Sequence, residues 1–193
     1  MARLEQAPTD SHPVVDPVFG TRLGFSRKTE AGGEVLLVDM WVEPRGGVTP
    51  HVHPAMEERF TVQEGRCQFL GGRRWSEAGP GETVVVPAGT RHAFRNRGSV
   101  PTRVLCEARP PSSLQAFLED VAGLSRAGKL LRIGLPAPSG LLEAAVLIDG
   151  YAEMVELGFP APPRPIQRIL FGPLARLAER RGMRAGTFAR LTT

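Results

Sequence analysis

The sequence predicts a mainly β chain: one sandwich or barrel of short strands, followed by an α-helical extension at the C-terminal end. Two observations carry this prediction. From about residue 20 to residue 110, apolar residues alternate in period two between turns rich in Gly and Pro. After residue 111 the apolar residues recur at helical spacing instead. With 193 residues, 22 of them Gly and 18 Pro, the chain suffices for one such domain with an appendage and is short for two complete domains.

The first part of the chain contains six segments that fit short strands: EVLLVDMWVEP, ERFTVQEG, RCQFLGG, ETVVVPAG, RHAFRNRG and TRVLCEARP. Strands this short and this regularly spaced are typical of a sandwich or barrel. No internal repeat divides them. We therefore expect an N-terminal arm (1–19), a single β-barrel (20–110) and a helical extension (111–193).

The first predicted helix begins just after residue 111. Its apolar stripe follows the spacing of one helical face and comprises Leu114, Phe117, Leu118, Val121 and Leu124. Ser112 and Gln115 have the spacing of a capping box, in which each side chain bonds the other residue's backbone N–H.

Two further helices are predicted in the extension. The second runs from Ser139 to about Val155, and its apolar stripe comprises Leu141, Ala145, Ile148, Ala152 and Val155. The third starts near Ile166 and is expected to break or kink at Gly172–Pro173, because proline cannot donate the helical hydrogen bond. The proline-rich GFPAPPRP between them predicts a stiff connector.

The formal charge of +4 is unevenly distributed. Residues 161–193 hold seven Arg and one Glu, a charge of +6 that leaves −2 for the first 160 residues. A basic segment of this kind can bind nucleic acid or an anionic membrane. The chain has no nucleic-acid motif and little aromatic interleaving, so a solvated helix face is favoured and no nucleic acid is expected as a partner. Docking of IQRILFGPLARLAERRG to a membrane surface or a partner stays open as an alternative.

The compartment is predicted from three features. MARLEQAPTD lacks the apolar run of a signal peptide, and acidic residues interrupt the most apolar segment, GLLEAAVLIDGYAEMVELGF. The two cysteines, Cys67 and Cys106, demand no oxidising environment and are expected to be small buried thiols. We expect a cytoplasmic protein without a membrane span.

Two histidines lie one residue apart in HVHPAMEERF. Residues two apart in a strand point to the same face, so His51 and His53 present two imidazoles side by side. In the next strand, Glu58 shares its face with Phe60 whereas Glu57 lies on the opposite, polar face. The apolar face points inward, so Glu58 is expected to point into the barrel and Glu57 toward solvent.

A third histidine, His92, follows the turn VPAGT and shares its face with Phe94 and Asn96. A buried carboxylate beside buried imidazoles is costly unless a cation compensates the charge. Three imidazoles and one carboxylate suit Fe, Mn, Ni, Zn, Co or Cu better than Ca or Mg. The alternative from the pattern alone is a pair of exposed edge-strand histidines and an unrelated turn residue. His12 is expected to be a surface residue of the N-terminal arm.

Two motifs carry a resemblance to a known family. GETVVVPAGTRHAFRN matches G-x5-P-x-G-x2-H-x3-N at every spacing, and HVHPAMEERFTVQEG matches the H-x-H-x3,4-E-x6-G part of a second motif. The opening glycine of that motif is off by one, because Gly46 leaves four residues before His51 rather than five. The chain thus resembles the cupin superfamily over residues 20 to 110, about half its length. The resemblance implies a double-stranded β-helix (jelly-roll) barrel that binds a metal through His51, His53, Glu58 and His92.

The resemblance also sets the functional expectations. We expect one divalent transition metal and a dioxygenase-like oxidoreductase acting on a small, partly apolar organic molecule. The alternatives are a non-catalytic ligand-binding or sensor protein and an isomerase. No catalytic acid or base can be assigned, and a homodimer is expected by analogy with the family. The predicted pocket walls are the apolar inward-facing neighbours of the ligands, which could equally fill the barrel: Phe60, Val62, Cys67, Phe69 and Phe94.

Overall fold

The computed structural model describes residues 13–131, 134–158 and 164–191. Eleven strands are found in these ranges: β1 Val14–Asp16, β2 Thr21–Glu30, β3 Gly33–Val42, β4 His51–Val52, β5 Glu57–Glu64, β6 Cys67–Gly71, β7 Arg74–Ala78, β8 Thr83–Val86, β9 His92–Arg95, β10 Thr102–Arg109 and β11 Glu156–Leu157. The helices are α1 Leu114–Arg126, α2 Leu141–Gly150 and α3 Arg164–Arg180, with 3₁₀ turns at Pro138–Gly140 and Phe188–Arg190. His12, assigned above to a surface position, lies outside the described residues.

The strands form two antiparallel sheets. The first sheet has the order β1-β2-β3-β10-β5-β8 and the second has the order β11-β4-β9-β6-β7. Phe60 of the first sheet lies 5.4 Å from Phe69 and 5.9 Å from Phe94 of the second, measured between ring centroids, so the two sheets pack face to face. The predicted fold class, a mainly β jelly-roll barrel with a C-terminal α-helical extension, is confirmed.

The helical extension shares its core with the barrel. Buried extension side chains belong to the same apolar cluster as the barrel strands, and they include Leu114, Val121, Leu124, Val146, Leu147, Tyr151, Val155 and Phe188. In addition, β11 pairs with β4 and so extends the second sheet.

The strand β1 lies within the segment that the sequence analysis assigned to an N-terminal arm (1–19). It pairs with β2 and so belongs to the first sheet. Among the described residues, no helix combines the length and apolar character needed to cross a membrane.

Two local expectations for the helices are wrong. Ser112 and Gln115 form no capping box: Ser112 has a positive φ of 45°, the N-cap is Ser113 without a side-chain bond, and Gln115 instead donates to Glu119. The second helix ends at Gly150, and a turn follows it instead of the predicted last helical turn.

The third helix begins at Arg164 and passes through Pro173 without ending. Proline at this position removes the bond to the carbonyl of Ile169, four residues earlier. Ile169 is 73% exposed, so we infer that water satisfies that carbonyl and that the missing bond costs little.

Candidate metal centre

Four side chains predicted as metal ligands come together in the structure. One ligand atom from each of His51, His53, Glu58 and His92 lies within 4.8 Å of the ligand atoms of the other three. His53, Glu58 and His92 are 2%, 5% and 2% exposed, and His51 is half-buried. Such a compact, buried set of nitrogen and oxygen donors can hold a metal ion.

The two sheets supply different parts of the cluster. His51 in β4 lies directly opposite His92 in β9, and His53 follows β4, so the second sheet supplies all three imidazoles. Glu58 belongs to β5 in the first sheet, where it lies opposite Ala108 of β10. The cluster therefore bridges the two faces of the barrel.

The remaining ring nitrogen of each histidine bonds a backbone carbonyl. In every case Nδ1 faces the oxygen: His51 to Thr49 (2.9 Å), His53 to Met154 (2.8 Å) and His92 to Thr90 (2.8 Å). A carbonyl only accepts, so each Nδ1 carries the hydrogen and donates it. In the neutral imidazole, Nε2 then keeps a lone pair for the centre of the cluster, which is the tautomer that a metal ligand requires.

Two atoms at the centre are left without a hydrogen bond. Nε2 of His92 and Oε2 of Glu58 are both buried and lie 2.7 Å apart, yet neither makes a hydrogen bond of acceptable geometry with the described residues. A buried carboxylate oxygen without a donor is costly. A cation between the two atoms would remove that cost. The donor set of three imidazole nitrogens and one carboxylate oxygen fits a divalent transition metal.

The protonation states of two ligands also suit a metal. Burial, together with the neighbouring imidazoles, lowers the pKa of His51 to about 3. Burial alone would raise the pKa of Glu58, but the close His92 ring and the other two imidazoles outweigh it and lower the pKa to about 2. At neutral pH His51 is therefore neutral and Glu58 is ionised, as ligation requires.

A cysteine thiol contacts the second carboxylate oxygen of Glu58. The Sγ of Cys106 in β10 lies 3.7 Å from Oε1 of Glu58 and donates to it. Burial raises the pKa of the Cys106 thiol well above its usual value, so the hydrogen stays on sulfur. Sequence reasoning predicted a small buried thiol here and missed this contact. The alternation in TRVLCEAR indicates that the thiol points inward, but the pairing of β10 with β5 is needed to place it beside Glu58.

Glu57 lies on the opposite face of β5. Its side chain is 39% exposed, with an oxygen 3.6 Å from the Arg59 guanidinium, whereas Glu58 is buried among the histidines. The alternation of side chains along the strand therefore assigns the two glutamates to the same faces as the structure does.

The cluster borders a cavity of about 270 Å³, close to the lower end of the roughly 300–1,000 Å³ usual for small-molecule sites. Phe60 and Phe94 line this cavity, as predicted for the pocket. The structure places the other three predicted pocket residues elsewhere. Val62, Cys67 and Phe69 are fully buried but do not line the cavity, because the part of the barrel interior that they face is filled with other side chains.

The helical extension supplies much of the remaining cavity wall. Lining side chains come from all three helices: Leu114, Phe117, Leu118 and Val121 of α1, Ala144, Leu147 and Ile148 of α2, and Gln167 and Phe171 of α3. Most of the lining is apolar, and among the described lining residues there is no Arg or Lys. The extension thus encloses one side of the site, and no described residue contributes a cationic side chain to the enclosed space.

Comparison with known proteins identifies the domain. Residues 38–106 match the cupin domain family, over a span that contains all four candidate ligands. An uncharacterized protein of Methanocaldococcus jannaschii is 35% identical over 63 residues, which are 33% of this chain and 50% of that protein. The chain thus covers about half the length of this curated relative.

Solved structures show weaker likenesses. A sugar phosphate isomerase of the cupin superfamily from Silicibacter pomeroyi is 24% identical with a TM-score of 0.42, over 50% of this chain and 68% of that one. A cupin domain from Schizosaccharomyces pombe is 11% identical with a TM-score of 0.42, over 46% of this chain and 63% of that one. The family match, together with the two-sheet barrel, shows that residues 38–106 form a cupin domain.

Proposed function

We propose that this chain is a metal-dependent enzyme of the oxygenase class that acts on a small, mainly apolar organic molecule. One divalent transition metal, Fe, Mn, Ni, Zn, Co or Cu, would be held by His51, His53, Glu58 and His92. The observation that carries the proposal is the convergence of three Nε2 lone pairs and one buried carboxylate at the wall of an apolar cavity.

The donor set leaves room for a substrate. Four protein ligands leave one or two positions open in a five- or six-coordinate sphere, where a bound ion supplies Lewis-acid and redox chemistry. The protein's own contribution is orientation. The carbonyl of Met154 fixes the His53 ring, and the thiol of Cys106 fixes the carboxylate of Glu58.

The cavity wall supports an apolar substrate rather than a phosphorylated one. No Arg or Lys lines the cavity within the described residues, so no described side chain offers a positive charge to a phosphate there. Burying an uncompensated phosphate against Phe60, Phe94 and Phe117 would be costly. Isomerisation of a sugar phosphate, the activity named for the Silicibacter protein, therefore has less support than chemistry on an aromatic or polyketide-like molecule.

Two alternatives from the sequence are kept as outcomes of the test. A non-catalytic binding or sensor protein would hold the metal and ligand without turnover. An isomerase would need a base beside the substrate, and Glu57 points away from the cavity. We also infer from the sequence a cytoplasmic homodimer without a nucleic-acid partner, and gel filtration tests the dimer.

The test begins with elemental analysis by plasma mass spectrometry of protein purified without an affinity tag. We expect near-stoichiometric Fe, Mn, Ni or Cu in the wild type and in Glu57→Ala, and loss of metal in His53→Ala. Oxygen uptake with aromatic and polyketide-like substrates then tests the reaction class. Zinc alone would favour the isomerase or binding alternatives, and failure to hold any metal after reconstitution would refute the proposal.

A further inference from the structure

The cavity extends well beyond the metal centre. Its lining crosses five neighbouring strands of the first sheet: Glu58 on β5, Cys106 on β10, Met40 on β3, Leu23 on β2 and Asp16 on β1. Four strand spacings of about 4.8 Å give a path of about 19 Å along the sheet. The cavity is therefore elongated, with the candidate metal centre beside β5, next to one edge strand, and Asp16 on the opposite edge strand.

Asp16 is a buried carboxylate whose hydrogen bonds all fall on one oxygen. It is 4% exposed, and Oδ1 accepts from the backbone N–H groups of Val18 (3.0 Å) and Phe19 (3.0 Å) and from the hydroxyl of Ser125 (2.6 Å). Oδ2 receives no hydrogen bond from the described residues. Burial raises the pKa of Asp16 despite these three bonds and the positive charge of nearby Arg126, so the protein compensates its negative charge only in part.

The three hydrogen bonds that Asp16 accepts do not explain why this position carries a charged side chain. An asparagine carbonyl oxygen could accept the same three hydrogen bonds, because each of them is donated to a single oxygen. A buried ionised carboxylate is more costly than an amide unless a further donor reaches it. The unbonded oxygen therefore indicates a donor that comes from outside the chain.

A second polar group lies beside Asp16. Thr21 on β2 is directly opposite Asp16 in the strand register, is 5% exposed and lines the same cavity. Its hydroxyl makes no hydrogen bond with any other part of the chain that the structure describes. Two neighbouring polar groups, both buried and both with unused hydrogen-bonding capacity, thus face a mainly apolar space.

We propose that Asp16 and Thr21 form a second polar subsite, which binds a hydrogen-bond donor, a hydroxyl or an ammonium group, on an elongated apolar ligand whose other end reaches the metal centre. Asp16 accepts the donor through Oδ2, and the Thr21 hydroxyl gives or accepts a second bond. The assignment of the metal-reaching end rests on the function proposed above; the assignment of the Asp16 end does not.

The test uses the neutral methyl esters of straight-chain carboxylic acids of eight to fourteen carbons as probes, each compared with its ω-hydroxy and ω-amino derivative. Isothermal titration calorimetry is run on the full chain, both metal-loaded and metal-free. At the chain length that spans the cavity, we expect one derivative to bind roughly tenfold more tightly than the unsubstituted probe. Asp16→Asn places an amide NH2 donor where Oδ2 accepts, so it should remove a preference for the ω-amino derivative and weaken a preference for the ω-hydroxy derivative.

Two variants serve as controls. Asp149→Asn makes the same chemical change at an exposed carboxylate that lines the same cavity, and should keep the preference. Thr21→Val preserves side-chain shape, should reduce the preference roughly threefold, and carries the test if Asp16→Asn does not fold. Circular dichroism and thermal melting establish that each variant is folded.

Two results would overturn the subsite: no preference for a donor at any chain length, or a preference that survives in folded Asp16→Asn and Thr21→Val. Failure of the metal proposal gives a different result. Elemental analysis would then find no metal in the wild type, while the donor preference in the metal-free protein still decides the role of Asp16.

Discussion

Replacing Asp120 by Ala should destabilise the helical extension more than any surface substitution. Asp120 lies in α1, is fully buried, and accepts four hydrogen bonds. The donors are the hydroxyl of Tyr151 (3.0 Å) and the backbone N–H groups of Gly186 (2.5 Å), Phe188 (2.8 Å) and Ala189 (3.1 Å). One carboxylate therefore connects α1 to the end of α2 and to the C-terminal 3₁₀ turn.

The expected loss follows from those four donors. Hydrogen bonds to a charged group contribute about 1.5–3 kcal/mol each, but the four are not additive and the C-terminal turn can relax toward water. We expect Asp120→Ala to lower the free energy of unfolding by about 3–5 kcal/mol. For a chain of this length the corresponding fall in Tm is about 6–20 °C.

Urea unfolding, monitored by tryptophan fluorescence, measures the decrease in the free energy of unfolding. Asp149→Ala is the matched control, because Asp149 is exposed, and a change within about 0.5 kcal/mol is expected there. Asp120→Asn keeps the shape of the side chain but only one accepting oxygen, so it should lose less than Asp120→Ala does. A loss below about 1 kcal/mol in Asp120→Ala would refute the reasoning.

Three further predictions concern the core and the metal. Chelation should lower the free energy of unfolding by about 3 kcal/mol when free metal had exceeded the dissociation constant a hundredfold, and an unchanged Tm would contradict this. Leu124→Ala, at a fully buried position, should cost about 2–5 kcal/mol in urea unfolding, whereas exposed Leu131→Ala should cost less than about 0.5 kcal/mol. Truncation after Pro111 should give insoluble protein, because it removes helices that share the barrel's core. A soluble, monodisperse barrel in gel filtration would instead show that the extension is only a lid.

Much of the barrel and its candidate metal ligands can be predicted because strand geometry is local. Alternation in ERFTVQEG determines which glutamate points inward, and the structure buries Glu58 while leaving Glu57 partly exposed. The same rule sets His51 beside His53. These predictions depend on side-chain direction alone, which a strand repeats every second residue.

The helix boundaries were less predictable because tertiary contacts decide them. The capping box at Ser112 required a backbone conformation that this residue does not adopt. The third helix continues through Pro173. The carbonyl of Ile169, which loses its helical partner there, belongs to a residue that is open to water. Propensity rules describe an isolated segment and contain no information about which face is solvated.

The contacts that complete the sites join residues remote in sequence. Ser125 donates to Asp16 across 109 positions, and Met154 accepts from His53 across 101. Direction alone also cannot separate a cavity wall from a filled core: Phe60 and Val62 both point inward, but only Phe60 lines the cavity. Those distinctions depend on packing, which no local pattern records.

The bond from His53 to the Met154 carbonyl has a consequence for biosynthesis. All four ligand residues leave the ribosome well before Met154 and β11, so a nascent chain carries the complete donor set while one imidazole is still unoriented. If the cluster binds the proposed ion, we expect the affinity to reach its full value only after β11 has paired with β4. A chain that ends between α1 and β11 would keep all four candidate ligands and lose the carbonyl that orients His53, so we expect it to bind the proposed ion about 10–100-fold more weakly.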